Sequence, residues 1–277
     1  MKNFVVTTLC KIKTCPEKFE YYQQMYQISL ESREKYLRGP FENVLFSKEV
    51  ENFQEVFRSH FKWIYNLWRE NAPCNILYVG PDNLFVKPTE IFGRYKEFRL
   101  MNYTDPKSIH QEGYNFDHFL NGDFRYYPAE MSQETWDRGL ALVQEWTNHS
   151  PWNTEQYIYN TMFWEQPSIR EQEPHEVIDP LMHFQMQALS GGVRSVEQFN
   201  CAPIREAHLL HFHATRKHLT HYFMRQALDG DLSLKPPPKV SPPRQNRPPP
   251  KKVKKPTRTV KRSLRKLLTR KHVRRRP

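Results

Sequence analysis

The sequence predicts an α/β fold: a mixed, mainly parallel sheet with helices on both faces, plus a disordered basic C-terminal tail. Three observations predict it. Short apolar runs alternate with helix-length periodic segments over residues 3–90. The third of those runs stops in a tight turn that carries a carboxylate. Past residue 232 the apolar residues nearly vanish, and Pro, Lys and Arg take over.

The elements follow in chain order. Phe4-Val5-Val6-Thr7-Thr8-Leu9 reads as a strand. After Pro16, the residues Phe19, Tyr22, Met25, Tyr26, Ser29, Leu30 and Tyr36 recur at helical spacing. A short strand, Asn43-Val44-Leu45-Phe46, precedes a second helix whose apolar face is Phe53, Val56, Phe57, Phe61, Ile64 and Trp68. The stretch NILYVGPDNLFVKP, Asn75 to Pro88, then supplies a third strand that ends at Gly80-Pro81-Asp82. Three strands alternating with two helices make the repeating unit of a parallel, helix-covered sheet.

Beyond Pro88 the pattern loosens. Arg94 to Tyr103 is expected as a strand, and Phe116 to Leu120 as one arm of a hairpin turning at Asn121-Gly122 into Arg125-Tyr126-Tyr127-Pro128. Ser132 caps a helix carrying Trp136, Leu140, Val143 and Trp146. Asn153, with Gln156 three residues on, is expected to cap the helix Thr154 to Trp164. Ala207 to Phe212 reads as a late strand, and a short helix near His218 to Leu228 closes the domain, taken as 1–232.

Charge separates the two parts. The chain carries +12 overall, yet residues 233–277 hold 18 Lys and Arg and no Asp or Glu, which leaves −6 on residues 1–232. A site on the domain therefore works in a mildly acidic setting. The basic tail would attract polyanions in a salt-sensitive, sequence-blind way. Nucleic acid and an anionic membrane surface compete equally for it, because it has no aromatic residue to stack on bases. A solubilising extension is the plainer alternative.

Four scattered cysteines (Cys10, Cys15, Cys74, Cys201) fit neither a zinc knuckle nor a disulfide framework. No apolar run is long enough for a signal peptide or a membrane span. The expectation is a soluble, cytoplasmic protein.

Candidate chemistry sits at strand ends. Asp82 follows the third strand, where a doubly wound sheet opens its binding crevice. Five histidines lie between residues 208 and 221, and along an extended strand His211 and His213 point the same way. Singly, each reads as a half-buried structural histidine, and Asp82 as an ordinary turn residue. Together they read as a site. The sequence HExxH is absent, and no second histidine cluster offers zinc ligands.

The order of these features resembles that of GT-A fold (Rossmann-like) glycosyltransferases of the glycogenin and lipopolysaccharide galactosyltransferase type, over residues 3–225. Gly80-Pro81-Asp82 stands where that family has Asp-x-Asp. Asn121-Gly122 stands at its Asn-containing turn, Glu155-Gln156 at its Asp-Gln pair, and His211 to Lys217 at His-x-x-Gly-x-x-Lys. Gly80 replaces the first acid and Ala214 the glycine. The resemblance implies transfer of a sugar, as by a hexosyltransferase, from a nucleotide-diphosphate sugar to an unidentified glycan, protein or lipid acceptor, with retention of configuration. It implies Mn²⁺ or Mg²⁺ held by Asp82 and His211, and the diphosphate contacted by Lys217, with Arg216, Arg94 or Arg99 as further positive charge. Thr7 and Thr8 would lie near the nucleotide base, and Asn121, Glu155 and Gln156 would face the sugar. Glu155 and His213 are the next candidates for the ion. The alternatives are a non-catalytic relative that binds a ligand or partner, and a polyanion-associated protein acting through its tail.

Overall fold

The computed structural model describes residues 1–101, 121–145, 151–170, 183–185, 207–212 and 217–232. The expected basic tail, the Phe116–Leu120 arm, Trp146, His213 and Arg216 lie outside those residues.

The first half alternates as the sequence implies. It contains β1 (Lys2–Thr8), β2 (Lys11–Ile12), α1 (Glu17–Tyr36), β3 (Glu42–Phe46), β4 (Glu49–Val50), α2 (Phe53–Asn71) and β5 (Cys74–Val79). Then come β6 (Asn83–Phe85), β7 (Arg99–Met101), β8 (Asn121–Tyr127), α3 (Gln133–Glu145), α4 (Pro151–Trp164) and α5 (Pro167–Arg170). The last described elements are β9 (His183–Gln185), β10 (Leu209–His211) and α6 (Lys217–Leu228).

The central sheet has the order β3-β1-β5-β8-β7. β3, β1 and β5 are parallel, whereas β8 runs antiparallel between β5 and β7, so four of the five strands share a direction. A three-stranded sheet β6-β10-β9 and the pair β2-β4 complete the described strands. The mixed, mainly parallel α/β class expected from the sequence is the observed one.

Every residue of β5 is buried, because both faces of the sheet are covered. Strand period decides which side each residue serves. Phe4, Val6, Ile76 and Tyr78 join Phe61 and Ile64 of α2 and Trp136 of α3 in one core. Val5, Leu77 and Val79 point the other way, against Phe85, Phe124 and Tyr126. On that second side α1 packs, with Met25 and Ile28 meeting Phe223 and Met224 of α6. Among the described residues no helix is long and apolar enough to cross a membrane.

Caps match the sequence in part. Asn52 accepts the Glu55 amide at the start of α2, and Ser132 accepts the Thr135 amide before α3. Asn153 does not cap α4. That helix starts at Pro151, whose fixed φ suits a first helical position. The Asn121-Gly122 pair is no hairpin turn either, since it lies inside β8 and the ladder to β7 bends there instead.

The helix layer is tightest at Gly139 of α3. A β-carbon there would sit 2.2 Å from Phe61 Cζ and 2.8 Å from Met162 Sδ, joining α2, α3 and α4 at one point. Gly139→Ala should therefore destabilise the fold by about 1–3 kcal/mol from overpacking. Alanine's better helix propensity offsets no more than about 1 kcal/mol of that. The check is a urea midpoint, which should fall with an unchanged slope.

Candidate active site

The order β3-β1-β5 means that the crossover from β1 leaves to one side while β5 lies on the other. A crevice opens at the carboxyl ends of strands where such an order reverses. A cavity of about 240 Å³ occupies that place. Its walls come from the end of β1 (Thr8, Leu9, Cys10), the turn after β5 (Pro81, Asp82) and β8 (Asp123). Phe19 and Tyr22 of α1, with Phe53, Val56, Phe57 and His60 of α2, give it an aromatic side.

The polar floor is built by strand pairing. β10 lies antiparallel to β6 with His211 opposite Asn83, and the Phe212 amide donates to the Asp82 carbonyl at 2.9 Å. This stitches the histidine strand to the turn carrying Asp82. His211 Nε2 stands 3.4 Å from Asp82 Oδ2 and also 3.4 Å from Asp123 Oδ2. The imidazole is fully buried, whereas Asp82 and Asp123 are 16% and 32% exposed toward the cavity. Sequence residues 82 and 211 thus meet in one cluster.

Burial by itself would lower the pKa of His211. The carboxylate of Asp82, with Asp123 beyond it, outweighs that and holds the ring above its ordinary value. The same acids, added to burial, push the Tyr22 hydroxyl upward. The folded pKa of His211 is raised, so its contribution to stability is complete below about pH 6.5 and is lost as pH rises through the folded value. In chelator, the protein should unfold at lower denaturant at pH 8.5 than at pH 6. Asp82→Asn should shrink that difference, as paired denaturation curves would show.

Among the described residues no group of three or more His, Cys, Asp or Glu side chains stands as a preformed metal site. In this arrangement the buried imidazole is what the two carboxylates face. The donor chemistry nevertheless suits a hard divalent cation: carboxylate oxygen and imidazole nitrogen, 3.4 Å apart. Donor atoms that share one ion at ~2.1–2.4 Å sit about that far from each other.

The two threonines part company. Successive strand residues face opposite sides, so Thr7 turns under α1, donating to the Val79 carbonyl at 2.7 Å and accepting from Arg33 at 2.6 Å. It does not line the cavity. Thr8 does, and its buried hydroxyl has no hydrogen-bond partner among the described residues. Arg33 is itself buried, which lowers it to about 10 and leaves it charged at neutral pH, clamping β1 to β5 beneath the crevice.

Gln156 of α4 also lines the cavity, and its Oε1 accepts the Gly122 amide at 2.6 Å. Asn121 begins β8, Glu155 lies in the first turns of α4, and Lys217 starts α6, but their side chains are outside the described residues. Arg94 and Arg99 both lie against Tyr95, and neither lines this cavity.

Of the cavity residues without a role in the sequence reading, two polar ones meet the strands at its floor. Asp123 is one; its clue is its place directly after the Asn121-Gly122 motif. His60 is the other, seven residues after Phe53 on the same helix face. Its Nε2 lies 3.0 Å from the Arg125 guanidinium, which has no lone pair, so Nε2 accepts and the proton sits on Nδ1. Arg125 is buried between Tyr78 and Tyr159, 3.8 Å from each ring centre.

No protein-family model matches the sequence, and no curated protein matches it. Among solved structures the chain is similar to a glycosyltransferase involved in the glycosylation of the major capsid of PBCV-1. The likeness covers 82% of this chain and 100% of that one, at 14% identity and a TM-score of 0.47. At that identity and score it assigns no activity to this chain.

Proposed function

We propose that this protein is a GT-A-like glycosyltransferase that takes its donor, a nucleotide-diphosphate sugar, into the cavity at the ends of β1 and β5. One observation carries the reading: two carboxylates and a buried imidazole converge on the floor of an aromatic-walled crevice at the sheet's switch point. Two acids repel a diphosphate directly, so an anionic donor needs a divalent cation between them.

In this reading Asp82 and His211 hold Mn²⁺ or Mg²⁺, which when bound neutralises the departing nucleoside diphosphate. The base and ribose lie along Phe19, Tyr22 and Phe57, and the free hydroxyl of Thr8 bonds one of them. Gln156 presents its amide NH₂ to the sugar, because its oxygen is already taken by Gly122. Asn121 and Glu155 join it on the sugar side, and Lys217 meets the diphosphate. The acceptor is a hydroxyl of a glycan, protein or lipid. A ligand-binding protein without turnover would use the same cavity.

A donor screen tests the reading. Release of nucleoside diphosphate from a panel of nucleotide-sugars, with Mn²⁺ and with chelator, should reveal at least one hydrolysed or transferred donor, and only with the ion. Binding of a donor without release would establish the non-catalytic alternative. No binding of any donor would overturn both.

A further inference from the structure

Asp123 is held in place by the turn that carries Asp82. The Gly80 amide donates to the Asp123 carbonyl at 2.8 Å, and the Asn83 side-chain amide donates to the same oxygen at 3.3 Å. This double clamp sets the start of β8 against the end of β5. It brings Asp123 Oδ2 to the same imidazole nitrogen that Asp82 meets, at the same 3.4 Å.

A side chain at position 80 would crowd the side chains of Asn83 and Asp82. A β-carbon there would lie 2.7 Å from Asn83 Nδ2, 3.1 Å from Asp82 Oδ1 and 3.4 Å from the Asp123 carbonyl. The side chains of Asn83 and Asp82 crowd the space where a first motif carboxylate would start, and the Asp123 carbonyl stands at ordinary contact distance.

We propose that Asp123, on the antiparallel strand β8, supplies the second carboxylate of the cation–diphosphate site, in place of the acid that Gly80 lacks. This rests on the reading of the cavity given above. The ligand set is then Asp82, Asp123 and His211, and diphosphate oxygens and water complete the shell, as hard cations require. Three protein donors leave roughly half of an octahedral shell for the donor substrate. The acid also sits two residues before Arg125 on the same face of β8, so the strand that delivers the ligand is anchored by a buried guanidinium.

The test titrates Mn²⁺ alone, and Mn²⁺ with a nucleoside diphosphate, into the full chain and reads free Mn²⁺ by electron paramagnetic resonance. Asp123→Asn, which keeps side-chain shape and the backbone clamp, should weaken Mn²⁺ binding at least ~10-fold. Asp123→Ser serves as a second variant should the first fail to fold. Wild-type affinity in both Asp123 variants would overturn the assignment while leaving the cavity reading intact. A wild-type protein that binds no Mn²⁺ under either condition would overturn both.

Discussion

Asp82→Asn leaves the fold intact and removes cation-dependent binding of the nucleotide-sugar, with a loss of about 100-fold or more in affinity. The side chain is partly exposed on a turn, and its backbone carbonyl, which accepts the Phe212 amide, is untouched by the change. His211→Ala has the same effect on binding but also a structural cost. The ring is fully buried at the end of β10, and its removal leaves two acids facing each other without their shared partner. A stability loss on the order of 1–3 kcal/mol should accompany it. The double variant should lose little beyond Asp82→Asn, since one missing ligand already empties the site. Calorimetric titration of donor with and without Mn²⁺, beside a denaturation curve for each variant, separates the two effects. Full metal-dependent binding by Asp82→Asn would move the ion elsewhere.

Trp136→Ala should be the most damaging core substitution, costing about 3–5 kcal/mol. The ring is completely buried in the helix layer. It stacks on Tyr127 at 5.1 Å with an interplanar angle of 9°, and meets Trp68 and Phe61 at 5.3 and 5.8 Å. It therefore ties α2, α3 and the end of β8 together. Its indole nitrogen is buried with no hydrogen-bond partner among the described residues, so Trp136→Phe gives up no polar contact to them. That variant should cost well under half as much as the alanine. Urea midpoints of the two variants check the order, and equal losses would mean that the indole N–H has a partner after all.

The parts of this molecule that could be read from sequence are those governed by local period. β1, β3, β5, α1 and α2 announce themselves because strand and helix spacing repeat within each segment. Asp82 and His211 were legible for a related reason: each ends a strand, and strand ends of such sheets share one edge. Asp123 was not. Its place depends on β8 lying antiparallel beside β5, a pairing between residues 45 to 51 positions apart that no local pattern reports. The Asn-Gly pair reads as a turn in isolation, yet it opens β8, where Asn121 pairs with Met101 of β7. Phe53 and Phe57 read as core, and they are cavity wall instead. A helix of 19 residues spans ~28 Å, but the six residues of β5 span only ~20 Å. The first turns of α2 overhang the sheet and must face the crevice.

A cation held by Asp82 and His211 would join a nucleoside diphosphate to this cavity, and crystals grown with Mn²⁺ and a nucleoside diphosphate would reveal it through the anomalous signal of manganese. One ion should lie within ~2.1–2.4 Å of Asp82 Oδ, His211 Nε2 and Asp123 Oδ, with diphosphate oxygens filling the remaining positions. The base should lie against Phe19, Tyr22 or Phe57. A nucleotide seated in the cavity with no ion at those side chains, or one bound away from the ends of β1 and β5, would contradict it.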